Sequence, residues 1–253
     1  MAVKEIYFLD CGSLTVDQSA ITYQKGLGNP VEIPVIPVLI DTDDGYILFD
    51  TGLDPAGLSS PEEVWGIKKK VVRRFSEEND IRHQLDLIGV KPEDIRYVVN
   101  SHFHWDHTGG NRFFSEATFF VQKSEYRFGY YPDSFVESLY IKPHFDHPLN
   151  YQLIEGDYEV VEGVYIITTP GHTPGHQSLV VQMPDETAIL MADAVYSKEN
   201  YDLDIPPGNT WDITKAIESM NKLKYLAKMT DGNMYITHDP NFWKDHKPSF
   251  AYK

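Results

Sequence analysis

The chain of 253 residues contains one cysteine, Cys11. No internal disulfide can form and no thiolate cage can be built, so any metal would have to be held by imidazole and carboxylate. Basic residues are also scarce: 22 Lys and Arg stand against 38 Asp and Glu, a formal net charge of -16. Nucleic acid and anionic membranes both require clustered positive charge, and neither is an expected partner. No apolar run approaches the length of a membrane span. The segment Met1–Ile6 lacks the basic flank and apolar stretch of a signal peptide. No Gly-x-Ser-x-Gly elbow occurs, which removes one common nucleophile signature. The expectation is a soluble, cytoplasmic chain forming a single domain over 1–253, with 42% hydrophobic residues to build a core.

What the chain does have is a concentration of ligand-type side chains. Ser101-His102-Phe103-His104-Trp105-Asp106-His107-Thr108-Gly109-Gly110-Asn111 places His102, His104, Asp106 and His107 within six positions. Imidazole and carboxylate are the ligands of zinc and similar divalent ions. Residues 96–100 before the motif read as a buried strand, and Gly109-Gly110 after it reads as a tight turn. A strand tip followed by such a turn is where α/β proteins place ligands.

Along the chain, strands are expected over 3–9, 33–40 and 46–49, with Pro34 and Pro37 marking an edge or a bulge. A helix is expected over 78–88 with Ile81, Leu85 and Ile88 inward. Lys68-Lys69-Lys70 with Arg73-Arg74 reads as a solvated basic face. Residues 125–150 hold many aromatics at no regular period and are broken by proline, which predicts loops and short helices. That segment could form a satellite core beneath a long loop, an apolar ligand wall or a face of a homodimer. Further strands follow at 117–121, 151–155, 158–161, 164–169, 178–183, 187–192 and 233–237. The longest helix is expected over 211–228, capped by Thr210, with Ile213, Ala216, Ile217, Met220, Leu223 and Ala227 on its apolar stripe. The two halves share a plan of strands, helix, strand and ligand.

Three further ligand candidates follow strand patterns: His172 in Thr169-Pro-Gly-His-Thr-Pro-Gly-His176, then Asp193, then His238. If the strand tips converge, seven ligands meet. Seven exceed one tetrahedral zinc and suit two metals that share a carboxylate. Asp50, in Asp50-Thr51-Gly52, and His176 are read as orienting partners of the ligands. His83 and His246 read as surface residues, and His144 and His147 as loop residues beside Pro148.

The succession His-x-His-x-Asp-His, Gly-His-x-Pro-Gly-His, an Asp after an apolar strand and a late His resembles the metallo-β-lactamase superfamily across essentially the whole chain. Within it the chain is most similar to the N-acyl homoserine lactonases, through Ser101–Asn111, Glu155–Val161, Tyr165–Ser178 and Asp193–Asn200. The resemblance implies an αββα sandwich, two mixed sheets flanked by helices. It implies a hydrolase that opens the ring of acyl lactones by attack of a metal-bridging hydroxide. His102, His104 and His172 would hold one metal, Asp106, His107 and His238 the other, and Asp193 would bridge. The two divalent ions would be Zn2+, with Co2+, Mn2+ or Fe2+ suiting the same ligands. Tyr196 would stabilise the carbonyl oxygen, Asp106 would pass a proton, and Trp105, Tyr126 and Phe128 would line the acyl chain, favouring longer chains. The same pattern admits hydrolysis of another lactone, a thioester or a phosphodiester. A mononuclear iron persulfide dioxygenase shares the fold but needs fewer ligands.

Overall fold

The computed structural model describes residues 3–246 and 251–252. Its strands are β1 (Val3–Phe8), β2 (Ser13–Asp17), β3 (Pro30–Pro34), β4 (Val38–Thr42), β5 (Gly45–Phe49), β6 (Val72–Arg74), β7 (Ile95–Val99) and β8 (Thr118–Gln122). They continue with β9 (Asn150–Ile154), β10 (Tyr158–Val161), β11 (Val164–Thr168), β12 (Gln177–Gln182), β13 (Thr187–Leu190), β14 (Asn233–Tyr235) and β15 (Ala251–Tyr252).

Two mixed sheets lie face to face. One has the order β15-β1-β4-β5-β7-β8-β9 and the other β10-β11-β12-β13-β14. Their facing residues interdigitate: Ile6, Phe8, Ile40, Ile47, Phe49, Val99 and Phe120 meet Ile166, Leu179, Val181, Ala188 and Leu190. The alternate residues Leu39, Leu48, Val98 and Phe119 point outward, where Leu53, Ile81, Leu85 and Phe114 cover them. On the other side Val180, Ile189 and Met191 are covered by Met220, Leu223 and Ala227 of the helix Ile213–Thr230. Side chains alternate faces along a strand, and here both faces are buried, so the strands read as continuous apolar runs. The arrangement is the αββα sandwich that the resemblance implies. Among the described residues no helix is long and apolar enough to cross a membrane.

Three expectations are corrected. The expected strand 33–40 is two strands in different sheets, because Pro34 and Pro37 bound the break. β3 joins β2 and β6 in a third, three-stranded sheet that the apolar pattern did not reveal. The long helix is capped by Asp212, whose carboxylate accepts from the Lys215 N–H at 3.0 Å, and not by Thr210. Its buried stripe includes Ser219, whereas Ile213 and Ile217 are 37% and 38% exposed and lie at its margin.

Strand direction gathers the ligands. β5, β7 and β8 run parallel, as do β13 and β14, and β11 is antiparallel to the β12 between it and β13. The C-terminal ends of β5, β7, β11, β13 and β14 therefore open on one edge of the sandwich. They deliver Asp50, His102, His172, Asp193 and His238 there, as open α/β sheets deliver ligands.

Candidate metal centre

The motif leaves β7, crosses an extended segment and closes in a single helical turn, Trp105–Thr108. That turn lies against the Thr51–Asp54 loop with no room for a side chain at Gly109, where a Cβ would stand 2.1 Å from the Asp54 nitrogen. Any other residue there would push the turn, and with it Asp106 and His107, off the loop. Asp50 and Ala192 both hold positive φ, +63° and +44°. Such a conformation is costly for a residue with a Cβ and tends to mark functional positions. Asp50 is the hub of the motif, and Ala192 precedes Asp193.

Seven side chains converge in two groups. His102, His104, His172 and Asp193 form one, and Asp106, His107 and His238 the other; within each group the ligand atoms lie within 4.8 Å of one another. Asp193 stands between them. Its Oδ1 is 3.1 Å from His238 Nε2 and 3.3 Å from His107 Nε2, and its Oδ2 is 3.3 Å from His172 Nε2 and 3.8 Å from His102 Nε2. All seven are buried.

Four of the five inward ring nitrogens are set from behind. His172 Nδ1 donates to the Asn209 carbonyl at 2.6 Å, and His238 Nδ1 to the Pro34 carbonyl at 2.6 Å. His107 Nδ1 donates to Asp50 Oδ2 at 2.9 Å, and His102 Nδ1 to the Ser101 hydroxyl at 2.8 Å. With Nδ1 carrying the proton, Nε2 of these four rings presents its lone pair inward. His104 faces inward through Nδ1, 2.9 Å from His172 Nε2. Asp50 also accepts from the Ser101 N–H and hydroxyl, both at 2.7 Å, so one carboxylate fixes both ends of the motif. His176 does not point into the cluster. It contacts the Thr169 hydroxyl through Nδ1 at 2.8 Å and accepts the Asp193 N–H at Nε2, 3.1 Å away.

The donor set fits divalent metal. Lone pairs of ring nitrogens face one another at 2.9–3.3 Å, as in His172–His104, His172–His102 and His238–His107. Asp193 Oδ1 is buried and receives no hydrogen bond of good geometry. Nitrogen and carboxylate lone pairs aimed at one another from buried positions repel unless cations lie between them. Burial first, then neighbouring imidazoles, hold His102 and His104 well below the ordinary histidine value, which leaves them in the neutral, ligating form. Burial alone would raise Asp193, but His107, His238, His172 and His102 outweigh it and hold the carboxyl well below its usual range.

Above the cluster lies a cavity of about 250 Å³. His104, Trp105, Asp106, Tyr196 and Asn209 form its floor side, and Leu14, Val16, Ile33, Val71 and Leu139 its apolar wall. Much of that wall comes from or adjoins the small third sheet. Tyr196 packs between His172 and His238, with ring centroids at 5.6 and 5.2 Å. A larger hollow, about 620 Å³, lies by Arg82 and Arg112. Those arginines are already paired with Asp80 and Asp54, and no ligand cluster lines the hollow.

Tyr126 and Phe128 are not on the cavity wall. The segment from 123 folds as the helix Lys123–Tyr130 followed by short turns. Tyr126 packs on Phe103, Tyr130 and Tyr151, and Phe128 on Tyr140 and Trp211. The aromatics form a satellite core behind the motif, around Phe103 and Phe145. His144 is buried there, 3.7 Å from Asp54, and His246 is not a bare surface residue but stacks on Phe242.

Sequence reasoning missed Glu125, fully buried on that helix. Its Oε1 accepts from the Phe103 N–H at 2.9 Å and the Tyr140 hydroxyl at 3.2 Å. Its Oε2 accepts from the Thr173 hydroxyl at 2.6 Å and the Gly175 N–H at 3.1 Å. One carboxylate thus ties the loop of His102 and His104 to the loop of His172. Burial outweighs these four donors and raises its pKa. Its signal was absent because a lone Glu in an aromatic segment looks like surface. Glu125→Gln turns an N–H against donors that need an acceptor, and stranding one buried donor costs about 1–3 kcal/mol. The urea midpoint should fall accordingly with the m-value unchanged; an unchanged midpoint would mean the four bonds add nothing net.

A profile described as the metallo-beta-lactamase superfamily matches residues 34–238, and the chain belongs to that superfamily. It is 35% identical to an N-acyl homoserine lactonase of Bacillus cereus over 242 residues, 94% of each chain. It is 32% identical to the N-acyl homoserine lactonase AttM of Azorhizobium caulinodans, over 98% of this chain and 97% of that one. A solved N-acyl homoserine lactone hydrolase, with the product N-hexanoyl-L-homoserine bound at its catalytic metal center, superposes with a TM-score of 0.88 at 33% identity over 98% of both chains. Within the superfamily the chain therefore groups with the N-acyl homoserine lactonases.

Proposed function

We propose that this protein opens the lactone ring of N-acyl homoserine lactones by hydrolysis, using two divalent ions, Zn2+ in the first instance. The observation that carries the reading is the pair of ligand groups sharing Asp193 beneath an apolar cavity. His102, His104 and His172 would hold one ion, and Asp106, His107 and His238 the other. Bound ions there supply Lewis acidity to the carbonyl and bring the pKa of water toward neutrality.

The remaining work falls to the chain. Burial, then the charges of Asp193 and Asp106, push the Tyr196 hydroxyl well above the ordinary tyrosine value, so it stays protonated. It is then a donor for the carbonyl oxygen as that oxygen gains negative charge. Asp106 is the carboxylate that lines the cavity; it would hand a proton to the departing ring oxygen. Trp105 and the Leu14, Val16, Ile33 and Leu139 wall would exclude water around the acyl chain. One buried free cysteine suits a reducing compartment such as the cytoplasm.

The test is a panel on one preparation of known metal content: N-hexanoyl homoserine lactone, a thioester and a phosphodiester. The lactone should be turned over with kcat/KM above both others by at least about a hundredfold, inside the range by which sites reject substrates lacking their matched groups. Preferential cleavage of the thioester or the phosphodiester would replace this reading.

A further inference from the structure

The basic run 68–74 is not uniformly a solvated face. Lys69 reaches Glu62, Arg73 lies 3.8 Å from Glu32, and Arg74 forms a two-pronged pair with Asp10 at 2.7 and 2.9 Å. Lys68 turns the other way. It stands on the short turn Gly66–Lys70, half-buried, and lines the cavity over the metal ligands. No ion pair ties it down among the described residues; the charge that acts on it is that of Asp106, across the cavity, and burial lowers its pKa. Its own field reaches His104. An ammonium among Leu14, Val16, Ile33, Val71 and Leu139 is an expensive placement if the occupant of the cavity is purely hydrocarbon.

The substrate's geometry says what the ammonium would meet. With the lactone carbonyl over the ligands and Tyr196, the acyl chain would run along the apolar lining, to which Lys68 and Val71 belong. The amide oxygen, close to the ring, would then fall near the end of the cavity that Asn209 and Tyr196 line. The next acceptor along the chain is an oxygen on its third carbon, where one is present.

Resting on the lactonase reading above, we infer that Lys68 is a specificity-determining residue, whose ammonium donates a hydrogen bond to a keto oxygen on the third carbon of the acyl chain. The protein is then tuned to acyl lactones that carry that oxygen. A hydrogen bond from a charged donor in a partly desolvated site is worth about a tenfold preference or more. Lys68→Met keeps the length and apolar stem but removes the donor, and its aliphatic end suits the wall.

The experiment is kcat/KM for N-(3-oxohexanoyl) and N-hexanoyl homoserine lactone on the same preparation of wild type and of Lys68→Met. The ratio between the two substrates cancels differences in folded fraction and metal loading. Wild type should favour the 3-oxo substrate by about tenfold, and the variant should bring the ratio between the two substrates to about one. A wild-type ratio already near one overturns the inference. So does a parallel fall on both substrates, which would assign Lys68 to the shared amide. Turnover of neither substrate by wild type would fail the lactonase reading itself, a different result from either of these.

Discussion

Asp193→Asn is expected to release metal from both ligand groups and to lower hydrolysis by about a thousandfold. The expectation follows from where the carboxylate stands. Its two oxygens lie 3.1–3.8 Å from ring nitrogens of His238, His107, His172 and His102, which belong to both groups. It is 1% exposed, so no solvent replaces it. An amide of the same shape presents one neutral oxygen and one N–H, and the N–H faces either a ligand lone pair or a cation. Lewis-acid stabilisation by a bound ion is worth several kcal/mol, and about 4 kcal/mol is about a thousandfold in rate. Metal content after dialysis, with kcat/KM measured in parallel, checks it. Retention of about two ions per chain by the variant would show that Asp193 is not shared between them.

Tyr196→Phe should act on rate alone. The ring is held between His172 and His238 by packing that phenylalanine reproduces. Only the hydroxyl is lost, and with it the donor that the proposed function assigns to the developing oxyanion. Loss of one such donor costs about 2.7–4 kcal/mol, a fall in kcat of about a hundred- to a thousandfold. Metal content and thermal midpoint should stay at wild-type values. Loss of metal, or an unchanged kcat, would assign Tyr196 a packing role instead.

These two predictions rest on residues of unequal visibility in sequence. The candidate ligands that converge were legible because their side chains are the chemistry: His102 to His107 in one motif, then single residues each placed just after an apolar strand. The strands were legible where β4, β5, β8, β12 and β13 carry buried apolar runs, and the αββα arrangement came through the resemblance of the ligand motifs. The orienting shell was legible only where a side chain supplies it, as with Asp50. The partners of His172 and His238 are the backbone carbonyls of Asn209 and Pro34, which any residue could provide.

The lining of the cavity departs from expectation for a related reason. Aromatic density drew attention to Tyr126 and Phe128, but those rings solve a packing problem behind Phe103. The cavity is lined instead by Leu14, Val16 and Ile33, on strands of a small sheet whose third member has only three residues. β2 and β3 are only partly buried, and β6 is too short to show a period, so no apolar run marks this sheet. Lys68 was hidden in a run of five basic residues, of which it alone lines the cavity. Glu125 was hidden for the opposite reason, a single acid whose four donors come from segments distant in sequence.

Ring opening in water enriched in 18O, followed by mass spectrometry, tests the central claim most directly. Water attack at the lactone carbonyl predicts one product from N-hexanoyl homoserine lactone: the intact N-hexanoyl homoserine, with a single 18O in its carboxylate and none in the amide or the hydroxyl. Release of hexanoic acid with the lactone ring intact would place cleavage at the amide and contradict the account. So would label in the homoserine hydroxyl, which would mean attack at the ring carbon rather than the carbonyl.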